Sequence, residues 1–368
     1  MCGIAGIIFN NNLIFNNKLY DLFHTREGKN YRERILQILA LGIKERGPFF
    51  QATNSMPHAQ FLHSRIPTQS DEIIGRQPMI LHDFESDNDP FRDVMITYNG
   101  DIYADGRKTL ESIVGKQADA SDTALLIAGY KAVGKYVLNV LGTTNEYAFV
   151  VCDEYNNRFL AARDNSGNRP LFYVIDTQTQ NFIFSSLAFP LAELIKQKEI
   201  TGTIEQLLPG EILEGDFINY RKSFFQPDYY GLDTSLAPPD FLEAFYYLIE
   251  KAIEKRIPEM PFAIKVSGGL DSIAALHIAR KILTEQGRNP NDAVPINFGF
   301  AAAEDPIWAE RYFHEFGITN AITIRPTHKK DFLDQLFRKL PEIAVTLEST
   351  FPNLIRFGAL SDIIAKSA

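Results

Sequence analysis

Residues 1–9 read Met-Cys-Gly-Ile-Ala-Gly-Ile-Ile-Phe, a short apolar run with a cysteine in second place. Asn-rich residues 10–17 follow, so the pattern predicts a strand that ends in a turn. A residue as small as Cys2 in second place permits the removal of Met1. That removal would leave Cys2 with a free α-amine beside its thiol. Such an amine has a pKa of about 8 and a thiol one of about 8.5, so the amine can accept the thiol proton. Cys2 is therefore a candidate nucleophile that carries its own base, or else a small apolar residue that begins a strand.

The residues after this run predict a mixed domain dominated by antiparallel strands. A helical pattern over 31–44, a β-rich run over 94–98 and a second helical pattern over 123–133 come first. Four short strands then follow closely, with turn residues between them, over 146–154, 158–163, 171–175 and 182–186. We expect this first domain to span residues 2–215 and a linker rich in Pro, Tyr and Asp to lie within 216–240.

From residue 241 the pattern changes to alternating helices and strands. Helical patterns cover 241–256, 272–283, 307–316 and 354–365, and strand patterns cover 262–266, 294–298 and 321–324. This alternation is typical of a parallel α/β sheet. We therefore expect a second domain over 241–368.

Composition narrows the class of protein. The 368 residues suffice for two domains, and 45% are apolar and 23% charged, as in a folded soluble protein. A formal charge of −9 argues against nucleic acid and anionic lipid as partners. Two cysteines cannot form a disulfide framework, which suits a reducing compartment. With no basic signal-peptide start and no apolar stretch near the roughly 20 residues that span a bilayer, we expect a cytoplasmic protein and no membrane partner.

The first domain resembles the class II, N-terminal nucleophile glutamine amidotransferases in a series of motifs that come in the family's order. After Met1-Cys2-Gly3, the matching segments are Arg46-Gly47-Pro48, His63-Ser64-Arg65-Ile66, Gln77-Pro78, Asn99-Gly100-Asp101-Ile102-Tyr103, Ser121-Asp122-Thr123, Ala162-Arg163-Asp164 with Gly167, and Pro170-Leu171-Phe172-Tyr173. The resemblance implies an α+β fold, the N-terminal nucleophile hydrolase αββα sandwich, and glutamine as the substrate of Cys2.

The resemblance also assigns roles at matching positions. Arg65 would hold the α-carboxylate of glutamine, since a planar guanidinium can form two parallel bonds with it. Asp101 and Asp122 would contact the α-ammonium, and Asn99 with the N–H of Gly100 would form an oxyanion hole. These positions also have ordinary interpretations. Arg65 could be a surface arginine, Asp122 a helix cap, and Asn99-Gly100 a hairpin turn.

The sequence departs from the family at three of these places. The family usually has Glu where Asp101 stands, and this carboxylate is one methylene shorter. Phe49 and Leu187 replace residues that are commonly acidic. The nucleophile is unaffected, and the ammonium contact is expected to be longer or water-mediated.

A second motif, Ser267-Gly268-Gly269-Leu270-Asp271-Ser272, lies between a predicted strand and a predicted helix. Glycines let backbone N–H groups approach an anion, and a helix N-terminus adds partial positive charge. The hexapeptide resembles the pyrophosphate-binding loop of the ATP pyrophosphatases, although a tight strand-to-helix turn is the alternative. The resemblance implies ATP and Mg²⁺, with Asp271 as the magnesium ligand and the serines and glycines of the loop around the phosphates.

A glutaminase followed by such a loop resembles the glutamine-hydrolysing asparagine synthetases. In that family MgATP adenylates the β-carboxylate of aspartate, and ammonia displaces AMP. The family's second acidic loop does not occur in these residues, so we expect a truncated synthetase domain. The partner that we expect is a second copy in a homodimer or a second chain that completes this domain. Two alternatives stay open: a catalytically incomplete relative with a binding or regulatory role, and an amidotransferase that acts on a different carboxylate.

Overall fold

The computed structural model describes residues 2–10, 26–47, 50–65, 74–82, 93–117, 121–225, 238–299 and 304–325. These residues form two compact units, one over the described part of 2–225 and one over that of 238–325. Several expectations fall outside the described residues. They concern Met1, Pro48, Phe49 and Ile66, and the predicted helix over 354–365.

The first unit contains two six-stranded sheets. Its strands are β1 (Gly3–Ile8), β2 (Phe50–Met56), β3 (Ala59–Arg65), β4 (Met79–Leu81), β5 (Val94–Asp101), β6 (Glu146–Asp153), β7 (Arg158–Arg163), β8 (Phe172–Ile175), β9 (Phe182–Ser185), β10 (Glu205–Gln206), β11 (Glu211–Asp216) and β12 (Tyr220–Phe224). Sheet 1 has the order β10-β8-β9-β1-β3-β2, and sheet 2 the order β12-β11-β7-β6-β5-β4. β12 lies within the residues expected as a linker and pairs with β11.

Helices cover the outer face of each sheet. The helices of this unit are α1 (Arg26–Ile43), α2 (Ala104–Val114), α3 (Asp122–Val133), α4 (Val137–Leu141) and α5 (Ala188–Lys196). One apolar cluster packs α1 and α5 on sheet 1, and another packs α2, α3 and α4 on sheet 2. A third cluster, with Ile4, Phe61 and Val150, lies between the sheets. The unit is thus the four-layer αββα sandwich that the family resemblance implied.

The helical stretch Asp122–Leu141 corrects one sequence expectation. It is 20 residues long with a mean hydropathy of 1.3, so by length and composition it could cross a membrane. In the fold it is a core element, since Leu125, Leu126 and Ile127 are buried in the cluster against sheet 2. Gly134 interrupts it between α3 and α4. Its apolar residues serve the core of the unit.

The second unit is a small α/β layer structure. Its elements are α6 (Pro238–Glu254), β13 (Phe262–Lys265), α7 (Leu270–Glu285), β14 (Ala293–Phe298), α8 (Glu304–Glu315) and β15 (Ile322–Ile324). The three strands are parallel, with the order β13-β14-β15. The parallel sheet predicted from the alternating pattern is therefore confirmed.

Candidate active site

Cys2 lies directly before β1, an inner strand of sheet 1. β1 is antiparallel to β3 with Gly3 opposite Ser64, so the register continued by one residue sets Cys2 beside Arg65. The Nε of Arg46 donates to the carbonyl oxygen of Cys2 at 3.1 Å. The backbone of the proposed nucleophile is thus tied to the residues that precede β2.

The alternation of side chains turns Cys2 and Arg65 toward the other sheet. Ile4 belongs to the cluster between the sheets, and Cys2, two residues earlier, points to the same side. Phe61 lies in that cluster as well, and Arg65 shares its face of β3. Cys2 and Arg65 therefore face the layer between the two sheets, at one end of it.

Asn99 faces this layer from sheet 2. Met95 on the same face of β5 lies in the cluster between the sheets. Asn99 is 3% exposed, and its Nδ2 has no hydrogen-bond partner among the described residues. Buried donors are normally satisfied, so this amide is available to a bound group. Gly100 permits the close pairing of β5 and β6, because a Cβ there would lie 2.1 Å from the carbonyl oxygen of Glu146.

Arg65 ends β3 and is 6% exposed. Gly75, with φ of +73°, lies next to its guanidinium: a Cβ on this glycine would be 3.7 Å from Nη2 of Arg65 and 2.9 Å from Cβ of Ser121. Ser121 caps α3 by accepting the N–H of Ala124 at 3.2 Å. The guanidinium is thus close to the helix whose first residue is Asp122, which brings two of the predicted glutamine-binding residues together.

The two predicted ammonium-binding carboxylates are both ion-paired. Asp101 accepts a hydrogen bond from Nη2 of Arg169 at 2.6 Å. Asp122 accepts one from Nη2 of Arg107 and another from the N–H of Ile102, the latter at 2.8 Å. Burial raises the pKa of the Asp122 carboxyl, while these contacts oppose the shift.

Neither Arg107 nor Arg169 was predicted from the sequence to belong to the site. Arg169 lies between two matching segments, after Gly167 and before Pro170, and this position was the only local signal. Its partner Asp101 is 68 residues away along the chain, and a pairing at that separation depends on the fold.

His63 is a further buried group beside the site. It is 1% exposed, and a backbone hydrogen bond with Tyr98 only partly opposes the effect of this burial on its pKa. Burial, followed by the charge of Arg65, lowers the pKa of the imidazole to about 3. The ring is therefore neutral at physiological pH and does not repel the guanidinium on the same face of β3.

These features match a known protein family. A family model described as a glutamine amidotransferase domain matches residues 1–226, well over half of the chain. The chain belongs to the class II glutamine amidotransferases. The resemblance stated from the motifs is confirmed.

Curated relatives of this amidotransferase are asparagine synthetases. The chain is 25% identical over 260 residues to "Asparagine synthetase [glutamine-hydrolyzing]" of Asparagus officinalis, which is 69% of this chain and 41% of the relative. It is 26% identical over 371 residues to "Asparagine synthetase [glutamine-hydrolyzing] 3" of Bacillus subtilis, which is 91% of this chain and 56% of the relative. The chain spans about half the length of these curated relatives.

Two solved structures are also similar. One is the glutamine phosphoribosylpyrophosphate amidotransferase of B. subtilis complexed with ADP and GMP, at 14% identity and a TM-score of 0.43 over 78% of this chain and 65% of that one. The other is an allosteric regulatory enzyme of purine biosynthesis, at 14% identity and a TM-score of 0.44 over 88% and 80%.

The second predicted site lies between β13 and α7. Gly269 caps α7, and Asp271 stands in the first turn of that helix. Gly268 has φ of +110°, and a Cβ there would lie 1.7 Å from the carbonyl oxygen of Asp305. The loop is cross-linked by Ser267 and Ser272, whose hydroxyl oxygens are 3.1 Å apart. Only glycine fits the backbone at Gly268. The N–H groups of Ser267 and Gly269 donate to serine hydroxyls within the loop, and the N-terminus of α7 provides the partial positive charge that an anion would meet.

Metal ligands do not cluster in the described ranges: no group of three or more His, Cys, Asp or Glu is placed there to hold an ion. Asp271 as a magnesium ligand, through ATP, stays a prediction.

A cavity of about 950 Å³ occurs elsewhere in the first unit. Its lining includes Val94, Tyr130, Arg158 and Glu214, and none of the predicted site residues. Val94 begins β5, whereas Asp101 ends it. The cavity is therefore at the opposite end of sheet 2 from the candidate active site.

Proposed function

We propose that Cys2 hydrolyses glutamine to glutamate and ammonia, and that the ammonia amidates an ATP-activated carboxylate, with aspartate the favoured acceptor and asparagine the product. The observation that carries the glutaminase half is the buried Asn99 amide, which has no partner among the described residues and faces the same layer as Cys2 and Arg65. A buried amide donor that has no partner among the described residues can stabilise a transient oxyanion.

The glutaminase step would use these groups in sequence. The α-amine of Cys2 takes the thiol proton, and the thiolate attacks the side-chain amide carbon of glutamine. Asn99 and the N–H of Gly100 stabilise the oxyanion of the tetrahedral intermediate, while Arg65 holds the α-carboxylate. Collapse of the intermediate transfers the proton to the departing nitrogen, releases ammonia and leaves a thioester on Cys2. Water then hydrolyses the thioester to glutamate.

The loop of the second unit supports the use of ATP and Mg²⁺. The N–H groups at the start of α7, with Ser267 and Ser272, would hold the phosphates, and Asp271 would hold the metal ion. MgATP, when bound, would supply the adenylyl group that activates the acceptor carboxylate. The names of the relatives support aspartate as acceptor, since both are glutamine-hydrolysing asparagine synthetases. A cytoplasmic location is proposed on the same grounds.

The experiment follows glutamate release from glutamine by the processed protein, after mass spectrometry establishes that Met1 has been removed. Cys2→Ala is expected to abolish release, because the nucleophile and its thioester are lost. Cys152→Ala is the matched control, since Cys152 is the second cysteine and is fully buried in β6. It is expected to keep the activity.

Equal glutamate release by Cys2→Ala, or none by the processed wild type, would refute the glutaminase. Aspartate-dependent release of pyrophosphate from ATP tests the synthetase half. Glutaminase without that release would favour one of the two alternatives, an incomplete relative or an enzyme for another carboxylate.

A further inference from the structure

The carboxylate of Glu146 adjoins the predicted contact between Asp101 and the ammonium of glutamine. Glu146 begins β6 and pairs directly with Asp101 across the sheet. Cross-strand partners in an antiparallel pair point to the same side. Asn99, two residues before Asp101, faces the layer that contains Cys2, so both carboxylates face that layer too.

One arginine joins the two carboxylates. Nη2 of Arg169 lies 2.6 Å from Oδ2 of Asp101 and 3.1 Å from Oε2 of Glu146. The backbone N–H of Arg169 donates to Asp164 at 3.1 Å, which fixes the arginine within its turn. The second oxygen of Glu146 accepts the hydroxyl of Tyr103 at 3.0 Å. The carboxylate is therefore held in place from two sides.

The charges around these groups favour a cation. Among the described residues in these contacts, four carboxylates (Asp101, Asp122, Glu146 and Glu111) contact two guanidiniums (Arg107 and Arg169). The negative charge of these groups exceeds the positive charge, and Glu146 contributes to the excess that would attract an α-ammonium group.

The length of the Glu146 side chain is a second reason to expect that it contacts the ammonium. Asp101 is one methylene shorter than the glutamate that the family usually has at its position. Glu146 has the missing methylene and projects from the adjacent position of the neighbouring strand. Asn99 supplies an independent sign of a ligand here, since its buried amide on the same face lacks a partner in the described part of the chain.

We propose that Glu146 binds the α-ammonium of glutamine together with Asp101 and Asp122, and that it thereby sets the preference of the site for an α-amino acid. This inference rests on the proposed glutaminase. The preference for an α-amino acid can be tested with 4-carbamoylbutanoate, which is glutamine without its α-amino group.

The test compares kcat/KM for L-glutamine with kcat/KM for 4-carbamoylbutanoate. Glu146→Gln is expected to lower the preference for L-glutamine about 10- to 100-fold, since a hydrogen bond to a charged group is lost. The loss should appear as a higher KM for L-glutamine, with kcat and the activity on 4-carbamoylbutanoate little changed. Asp101→Glu in the Glu146→Gln background should restore part of the preference, which relief of a merely structural defect would not do.

Glu214→Gln is the matched control. The Glu214 side chain is 17% exposed against 18% for Glu146, and it pairs with Arg221 at 2.8 Å. It lines the cavity at the other end of sheet 2, and its loss should leave the preference unchanged. If Glu146→Gln does not fold by circular dichroism, Glu146→Asp keeps the charge, withdraws the carboxylate and should show a smaller loss.

An active Glu146 variant with the wild-type preference would overturn this inference and leave the proposed glutaminase intact. A wild type that releases no glutamate from glutamine would overturn the glutaminase itself, and the inference with it.

Discussion

At the scale of single residues, His63 couples protonation to stability. Its pKa is lowered to about 3 in the fold by burial and by Arg65, against an ordinary value of about 6.5 when unfolded. Between these values the unfolded chain binds the proton and the folded chain does not. The free energy of unfolding therefore falls as pH falls from about 6.5 toward 3. We expect this group to cost about 2 kcal/mol between pH 7 and pH 5, measured by urea unfolding of the first unit.

His63→Leu provides the comparison, because leucine fills the buried position and cannot be protonated. The variant should lose this part of the pH dependence while it keeps the contribution of other groups. The same slope of stability against pH in both proteins would contradict a neutral His63.

At the scale of elements, the end of β3 depends on a glycine in another segment. A Cβ on Gly47 would lie 2.2 Å from the carbonyl carbon of Ser64 and 2.3 Å from the backbone nitrogen of Arg65. Gly47→Ala must therefore displace the part of β3 that carries Arg65. We expect a loss of about 2 kcal/mol in the free energy of unfolding and a higher KM for glutamine. Urea unfolding and glutaminase kinetics measure the two effects.

Gly115→Ala separates backbone strain from this displacement. Gly115 has φ of +74°, and nothing lies within 4 Å of an added Cβ. Its replacement should cost about 1 kcal/mol and leave KM unchanged. If Gly47→Ala behaves in the same way, the close approach to β3 has no functional consequence.

At the scale of the whole molecule, the two units should lose their activities independently. Asp271→Ala is expected to abolish aspartate-dependent pyrophosphate release, because the proposed magnesium ligand is lost, and to leave glutamate release within about twofold of wild type. Cys2→Ala should abolish glutamate release and leave aspartate-dependent pyrophosphate release intact when added ammonium chloride supplies the nitrogen. Assays of glutamate and pyrophosphate on the same preparations measure both, and loss of glutaminase in Asp271→Ala would contradict separate sites.

The sequence by itself was enough to predict the main helices and strands and to identify Cys2 as the candidate nucleophile. Apolar runs and turn residues predicted the strands β6 to β9, and the alternation after residue 241 predicted the parallel sheet. The expected single meander was wrong, since β6 and β7 pair in sheet 2 whereas β8 and β9 pair in sheet 1. These patterns are local, since they reflect which side of one strand or helix is buried. The order of the motifs also assigned Cys2, Arg65, Asn99 and Asp122 to the site of one family. It provided no distances between these residues.

Only the tertiary structure decided what surrounds those residues. β12 belongs to sheet 2 because it pairs with β11. The apolar stretch Asp122–Leu141 is a core element because it packs against the same sheet. The pairing of Arg169 with Asp101 and Glu146 joins residues that are far apart in sequence. Hydrogen bonds and charges act through space at a few ångströms, whereas sequence patterns report neighbours along the chain. The nucleophile Cys2 could therefore be identified from the sequence, and its binding partners for glutamine required the fold.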